Sequence, residues 1–211
     1  MHISSHIFRL SIVLVLLLLP CSLFSQKHYF GIRGGYSMST AKFTPFMGDR
    51  KSVTGIDYGL VYKLYAEKIM GTQMELNSIQ TGYKLVDTTY SARALELPIM
   101  AQGSIRFGGF RIFVNAGVFG SYLLSQKLEK PNGSGGSYSK SYSFTNRDKR
   151  LDYGILGGGG LAFQLKKIEL QVEARYQHGF GYIVKPRYKK EQTTFSNRSR
   201  LAFSIALFYN L

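Results

Sequence analysis

The sequence holds one cysteine, no tryptophan and four histidines in 211 residues, and each shortage removes a class of chemistry. Cys21 lies in an N-terminal apolar stretch, so the chain after it carries no thiol. A disulfide-stapled secreted fold, a cysteine nucleophile and a sulfur-ligated zinc centre are excluded. His2 and His6 precede that stretch, which leaves only His28 and His178, too few for a histidine-built metal site. Acid is scarce too: 12 Asp and Glu stand against 27 Lys and Arg, a formal net charge of +15. No apolar run reaches the roughly 20 residues of a membrane-spanning helix. The longest, Ile12 to Leu19, follows Arg9 and gives way to small and polar residues. It reads as a secretory signal peptide over residues 1–25, with residues 26–211 as one domain.

What is present is alternation with period two, the mark of strands with two unlike faces. In "GIDYGLVYKLY", Ile56, Tyr58, Leu60, Tyr62 and Leu64 oppose Asp57, Gly59, Val61 and Lys63. In "IELQVEARYQ", Ile168, Leu170, Val172, Ala174 and Tyr176 oppose Glu169, Gln171, Glu173, Arg175 and Gln177. A strand segregates these charges where a helix would scatter them. The pattern predicts eight strands: Tyr29 to Ser39, Gly55 to Tyr65, Met70 to Thr81, Ala92 to Gln102, Arg111 to Tyr122, Asp152 to Leu165, Ile168 to His178 and Arg198 to Leu211. Long connections (40–54, 82–91, 123–151, 179–197) alternate with short ones (66–69, 103–110, 166–167), which is the layout of an outer-membrane barrel. A soluble lipocalin-like barrel or sandwich would share the alternation. The membrane reading is favoured by the leader and by tyrosines placed for interfacial girdles: Tyr29, Tyr36, Tyr58, Tyr65, Tyr122, Tyr153, Tyr176 and Tyr209.

The four-glycine run in "ILGGGGLAF" lacks the Lys and Ser or Thr of a phosphate loop and reads as strand. Its parity turns Asp152, Gly154, Gly158, Gly160 and Gln164 inward, where small residues admit long side chains from across a narrow barrel.

Five segments, "FGIRGGYS", "MELNSIQTGYK", "LELPIMAQ", "FVNAGVFGSYLLS" and "LDYGILGGGG", resemble the small Gram-negative outer-membrane barrels described as PorT-like or "porin family". The resemblance covers nearly all of the chain after the leader. It implies an eight-stranded antiparallel up-and-down transmembrane barrel in the bacterial outer membrane, with no established catalytic set. It also implies the prospect of a partner in a secretion system, since the family name derives from a member linked to one. The C-terminus "LFYNL" departs from the aromatic ending common in such barrels, while Leu207 and Tyr209 keep its alternation.

An eight-stranded barrel is just wide enough for side chains to fill its interior. Parity predicts a lumen charge network of Arg33, Asp57, Glu75, Glu96, Asp152, Glu173 and Arg175, joined by Lys63, Glu169 and Arg200, with the charges compensating one another. Glu75 and Glu96 on adjacent strands are a possible acid–base pair, but mid-membrane depth gives them no substrate access. His178 has no Ser or carboxylate in its own strand, so a hydrogen bond at the rim is the expectation rather than catalysis. No enzyme, metal or cofactor is expected.

The basic excess gathers on the long connections: Lys127, Lys130, Arg147, Lys149 and Arg150 on one, Lys185, Arg187, Lys189 and Lys190 on another. Nucleic acid is the usual partner of such a balance. An exported barrel instead faces the outer-leaflet lipid, with lipopolysaccharide phosphate or an acidic envelope or secretion-system protein as the expected partner. The competing expectation is a small-solute pore or transporter.

Overall fold

The computed structural model describes residues 27–44, 50–65, 69–85, 88–131, 137–142, 150–181 and 195–211; the segment expected to be a signal peptide lies outside them. The described chain is all strand: β1 (Lys27–Thr44), β2 (Arg50–Tyr65), β3 (Met70–Leu85), β4 (Thr88–Phe107), β5 (Phe110–Pro131), β6 (Ser137–Tyr142), β7 (Leu151–Leu165), β8 (Ile168–Gly179) and β9 (Phe195–Asn210). Neighbours pair in the order β4-β3-β2-β1-β9-β8-β7-β5, and β4 pairs β5 to close the ring. Every pairing is antiparallel. Eight strands therefore form the wall, as the alternation predicts, and closure leaves no wall strand with an unpaired edge in lipid.

The ninth strand is a correction. β6 lies within the segment expected to be a long loop and pairs with the far end of β5, from Gln126↔Tyr142 to Pro131↔Ser137. The other long connections are shorter than expected as well. β3 and β4 leave only residues 86 and 87 between them, and β1 and β2 only 45–49. Backbone pairing carries these strands past the apolar band, and pairing leaves no periodic mark on a polar sequence. One consequence concerns Lys127 and Lys130: both lie on β5 rather than in a loop, opposite Ser141 and Tyr138 of β6.

The short connections meet at the opposite end, together with Lys27 and Leu211, the ends of the described chain. Gly108–Gly109 closes β4 onto β5, with a φ of 61° at Gly108, the left-handed start that two-residue hairpin turns demand. Lys166 performs the same turn between β7 and β8 with a φ of 51°. A non-glycine residue in that region costs about 1–2 kcal/mol, partly offset against glycine's greater unfolded-state entropy. Lys166→Gly should therefore stabilise the barrel by less than about 1 kcal/mol, read as a slightly higher urea midpoint of unfolding in detergent; a lowered midpoint would show that the lysine side chain matters more than its backbone.

Burial alternates along the wall strands, as in β8, where every second residue from Glu169 to Gly179 is buried and most of the intervening ones are exposed. The outward set is apolar: Ile32, Leu60, Leu97, Val114, Ile155, Val172 and Ile205 are all exposed. Phe30, Tyr62, Phe107, Phe110 and Tyr209 ring the short-turn end. Of the expected girdle, Tyr36, Tyr58, Tyr122, Tyr153, Tyr176 and Tyr209 face outward, whereas Tyr29 and Tyr65 are buried in the lumen, edge to face at 5.7 Å. They share parity with Arg33 and Lys63, which is what turns them inward.

Candidate functional site

The lumen is filled by polar and charged side chains interleaved with apolar ones such as Ile79, Phe113, Phe119, Leu156 and Phe208. Near the short turns, the Lys63 ammonium donates to Glu169 Oε1 at 2.8 Å and also to Gln171, and it lies 4.0 Å from the Phe208 ring centre. Arg111 approaches Glu169 from the other side at 3.3 Å and stacks 4.1 Å from the Tyr65 ring, whose hydroxyl donates to Gln102 at 2.8 Å. Arg111 belongs to the network and sequence reasoning missed it, although the parity of β5 that turns Phe113 and Asn115 inward also turns Arg111.

At mid-barrel, Glu75 is held by a forked pair from Arg175, at 2.8 and 2.7 Å, and by Arg33, Gln73 and Asn77. Arg175 Nε also donates to Glu173 at 2.6 Å, and Asn115 and Gln171 complete the Glu173 carboxylate. Towards the other end, Arg200 donates to Asp57 at 3.0 Å, Glu96 at 2.7 Å and Gln177 at 2.6 Å. All seven residues expected in the lumen are buried there. Glu75 and Glu96 do not form an acid–base pair, because each is taken up by a different arginine. Buried ions in low dielectric persist only with partners of this kind.

At the mouth, Asp152 accepts from the backbone N–H groups of Tyr153 and Gly181, both at 2.9 Å, and lies 3.8 Å from Arg198. These bonds fold residues 179–181 against the barrel. The cavity between them, lined by Glu96, Asp152, Gln177, Arg198 and Arg200 among others, measures ≈ 30 Å³. It has room for about two water molecules.

The hydrogen bond expected of His178 at the rim comes from the neighbouring strand. No Ser lies near it in its own strand, but the neighbouring strand supplies one: His178 Nδ1 is 3.3 Å from Ser199 Oγ, which the Tyr176 hydroxyl also reaches at 3.2 Å. Phe180 packs edge-on against the imidazole at 5.4 Å. Among the described residues, no carboxylate comes within ion-pair distance of the ring.

Of the basic residues expected to bind anions, Lys127 is exposed on the outer wall, and exposed Arg150 donates to the Tyr122 hydroxyl at 3.5 Å. Only the backbone of Lys130 is described, while Arg147, Lys149, Lys185, Arg187, Lys189 and Lys190 lie outside the described residues. Their connections are bracketed by strand ends at the pole opposite the short turns, Gly179 and Phe195 in one case.

A closed antiparallel ring, apolar outside and ion-paired inside, defines an outer-membrane β-barrel protein. The chain belongs to the outer membrane protein beta-barrel domain family, whose model matches residues 24–185. Its location is accordingly the bacterial outer membrane. No curated protein matches the chain in sequence. Among solved structures it is similar to Neisserial surface protein A (10% identity, TM-score 0.48, covering 84% of this chain and 95% of that one). It is also similar to Ail, the attachment invasion locus protein of Yersinia pestis (13%, TM-score 0.46, 88% and 99%), and to the outer membrane enzyme PagL (11%, TM-score 0.42, 85% and 99%). At such identities these likenesses assign no activity.

Proposed function

We propose that the protein is a non-enzymatic barrel whose extracellular end is a basic interaction surface for anionic partners: outer-leaflet lipopolysaccharide phosphate, or an acidic envelope or secretion-system protein of the kind the PorT-like resemblance implies. The carrying observation is how the barrel divides its charge. Among the described side chains the lumen buries six acids, Asp57, Glu75, Glu96, Asp152, Glu169 and Glu173, and five cations, Arg33, Lys63, Arg111, Arg175 and Arg200. The whole chain has only 12 acids for 27 cations. Filling the lumen uses up half the negative charge and leaves the positive excess outside. Cations in the connections at one pole add their fields there.

The triple variant R147Q/K149Q/R150Q tests this. In detergent micelles the wild-type barrel should be retained on polyphosphate-coated beads and released as salt rises through ~0.1 M, where the screening length is about 10 Å. The variant should elute at lower salt while keeping its heat-modifiable gel mobility. Equal elution of the two folded proteins removes the platform, and stepwise single-channel conductance in planar bilayers would install the pore in its place.

A further inference from the structure

The outer wall of β3, β4 and β5 carries a polar groove where the apolar band ends. Leu76, Leu95 and Leu124 are exposed on these strands, and above them come Ser78 and Gln80, Arg93 and Ser91, Ser125 and Lys127. The register sets them side by side: Gln80 opposite Arg93, Arg93 opposite Ser125, Ser91 opposite Lys127. Gln80, Ser91, Ala92, Arg93, Ser125 and Lys127 line a cavity of ≈ 110 Å³.

A β-bulge builds this groove. From Arg111 to Leu123 the odd residues of β5 face inward, and that parity would send Ser125 and Lys127 into the lumen. Between the pairs Ala94↔Leu123 and Arg93↔Ser125 the register slips by one residue, so Leu124 and Ser125 are both exposed and Lys127 follows to the outside. Bulges re-aim side chains in this way. Arg93 is held in place rather than free in solvent. Its Nη1 donates to the Tyr58 hydroxyl at 2.8 Å and reaches Ser78 Oγ at 3.5 Å, and the guanidinium lies 5.7 Å from the Tyr58 ring centre. Gln80 donates to Ser91 Oγ at 3.1 Å. Among the described side chains no acid pairs with Arg93 or Lys127. Tyr58 and Tyr122 place the groove at the interfacial belt, the level of lipid headgroups.

Two cations on a lipid-facing wall, with hydroxyl and amide groups between them and no acid paired with them among the described side chains, are the chemistry of phosphate recognition. We propose that this groove binds the phosphate headgroup of an anionic outer-leaflet lipid. Arg93 and Lys127 supply the charge, Ser91, Ser125 and Gln80 the hydrogen bonds, and Leu95, Tyr122 and Leu124 the surface on which the acyl chains lie. The site takes Lys127 from the basic set named above and shares an anionic lipid with the loop platform, but it is built on the barrel wall around Arg93 and stands whether or not the loop cations bind anything.

The test uses the full barrel in nanodiscs of zwitterionic phospholipid doped with lipopolysaccharide, with lipid retention after detergent extraction counted by native mass spectrometry. Wild type should retain lipopolysaccharide, and R93Q/K127Q should retain it at least about tenfold less, equivalent to about 1.4 kcal/mol. Dephosphorylated lipopolysaccharide should bind both proteins as weakly as the variant binds the intact lipid. The exchange K127R should keep most of the retention, and R147Q/K149Q/R150Q should keep all of it, which separates this site from the loop platform. Equal retention by wild type and R93Q/K127Q, both heat-modifiable, would leave two cations merely reaching for solvent and overturn the proposal. Displacement by excess inorganic phosphate would make a free anion the occupant and overturn the lipid assignment.

Discussion

Replacing Arg175 with alanine should cost the barrel about 3–5 kcal/mol, the price of uncompensated charge in a buried network. Arg175 is 1% exposed and is the hub of the mid-barrel layer, binding both oxygens of Glu75 and one of Glu173. Without it Glu75 keeps Arg33, Gln73 and Asn77, but Glu173 is left with the neutral amides of Asn115 and Gln171. Arg175→Lys should fall between wild type and alanine, because a single ammonium cannot fork across one carboxylate while reaching a second. The urea midpoint of the heat-modifiable band in detergent reads both effects. An unchanged midpoint for the alanine variant would mean that water compensates the orphaned carboxylates, and the wet lumen that implies would favour a pore.

The period-two alternation alone carries most of this barrel, because one face must meet lipid and the other must not. Residues such as Arg33, Glu75 and Arg175 could be assigned to the lumen without coordinates. Their pairing could not. Lys63 meets Glu169 across 106 positions of sequence, a contact set by the tilt and stagger of the closed sheet. Arg111 shows the parity rule under-used: the strand expected from Arg111 to Tyr122 begins with it, and the parity that turns Phe113 and Asn115 inward applies to it as well. Lys127 shows the rule broken. The bulge after Leu123 reverses parity in a stretch, "LLSQK", whose composition gives no sign of it. Parity is therefore a reliable guide within a strand only between bulges. The groove at Arg93 could be found only once the register was known.

The glycine run of β7 provides the second large effect. Gly158 and Gly160 carry lumen parity, and an alanine Cβ at 160 would run into the Val172 backbone carbonyl and lie 2.9 Å from both the Glu173 Cα and the Phe113 ring. Neither the carbonyl nor Glu173 Cα can retreat without breaking the β7–β8 ladder, where Gly160 pairs Glu173 and Leu161 pairs Val172. Phe113 is 2% exposed and has no room to swing away. Gly157 is the control in the same run, since a Cβ there meets only the Asn115 carbonyl at an ordinary 3.7 Å. Gly160→Ala should therefore destabilise the barrel by about 3 kcal/mol, the upper end of what overpacking a tight interior costs, and Gly160→Val should fail to yield the heat-modifiable form. Gly157→Ala should be neutral or stabilise by up to about 1 kcal/mol through the stiffer unfolded chain. Refolding yields and urea midpoints of the three variants decide the matter. If Gly160→Ala matched Gly157→Ala, the run would be serving flexibility rather than room for Phe113, and the inward packing of this strand would have to be redrawn.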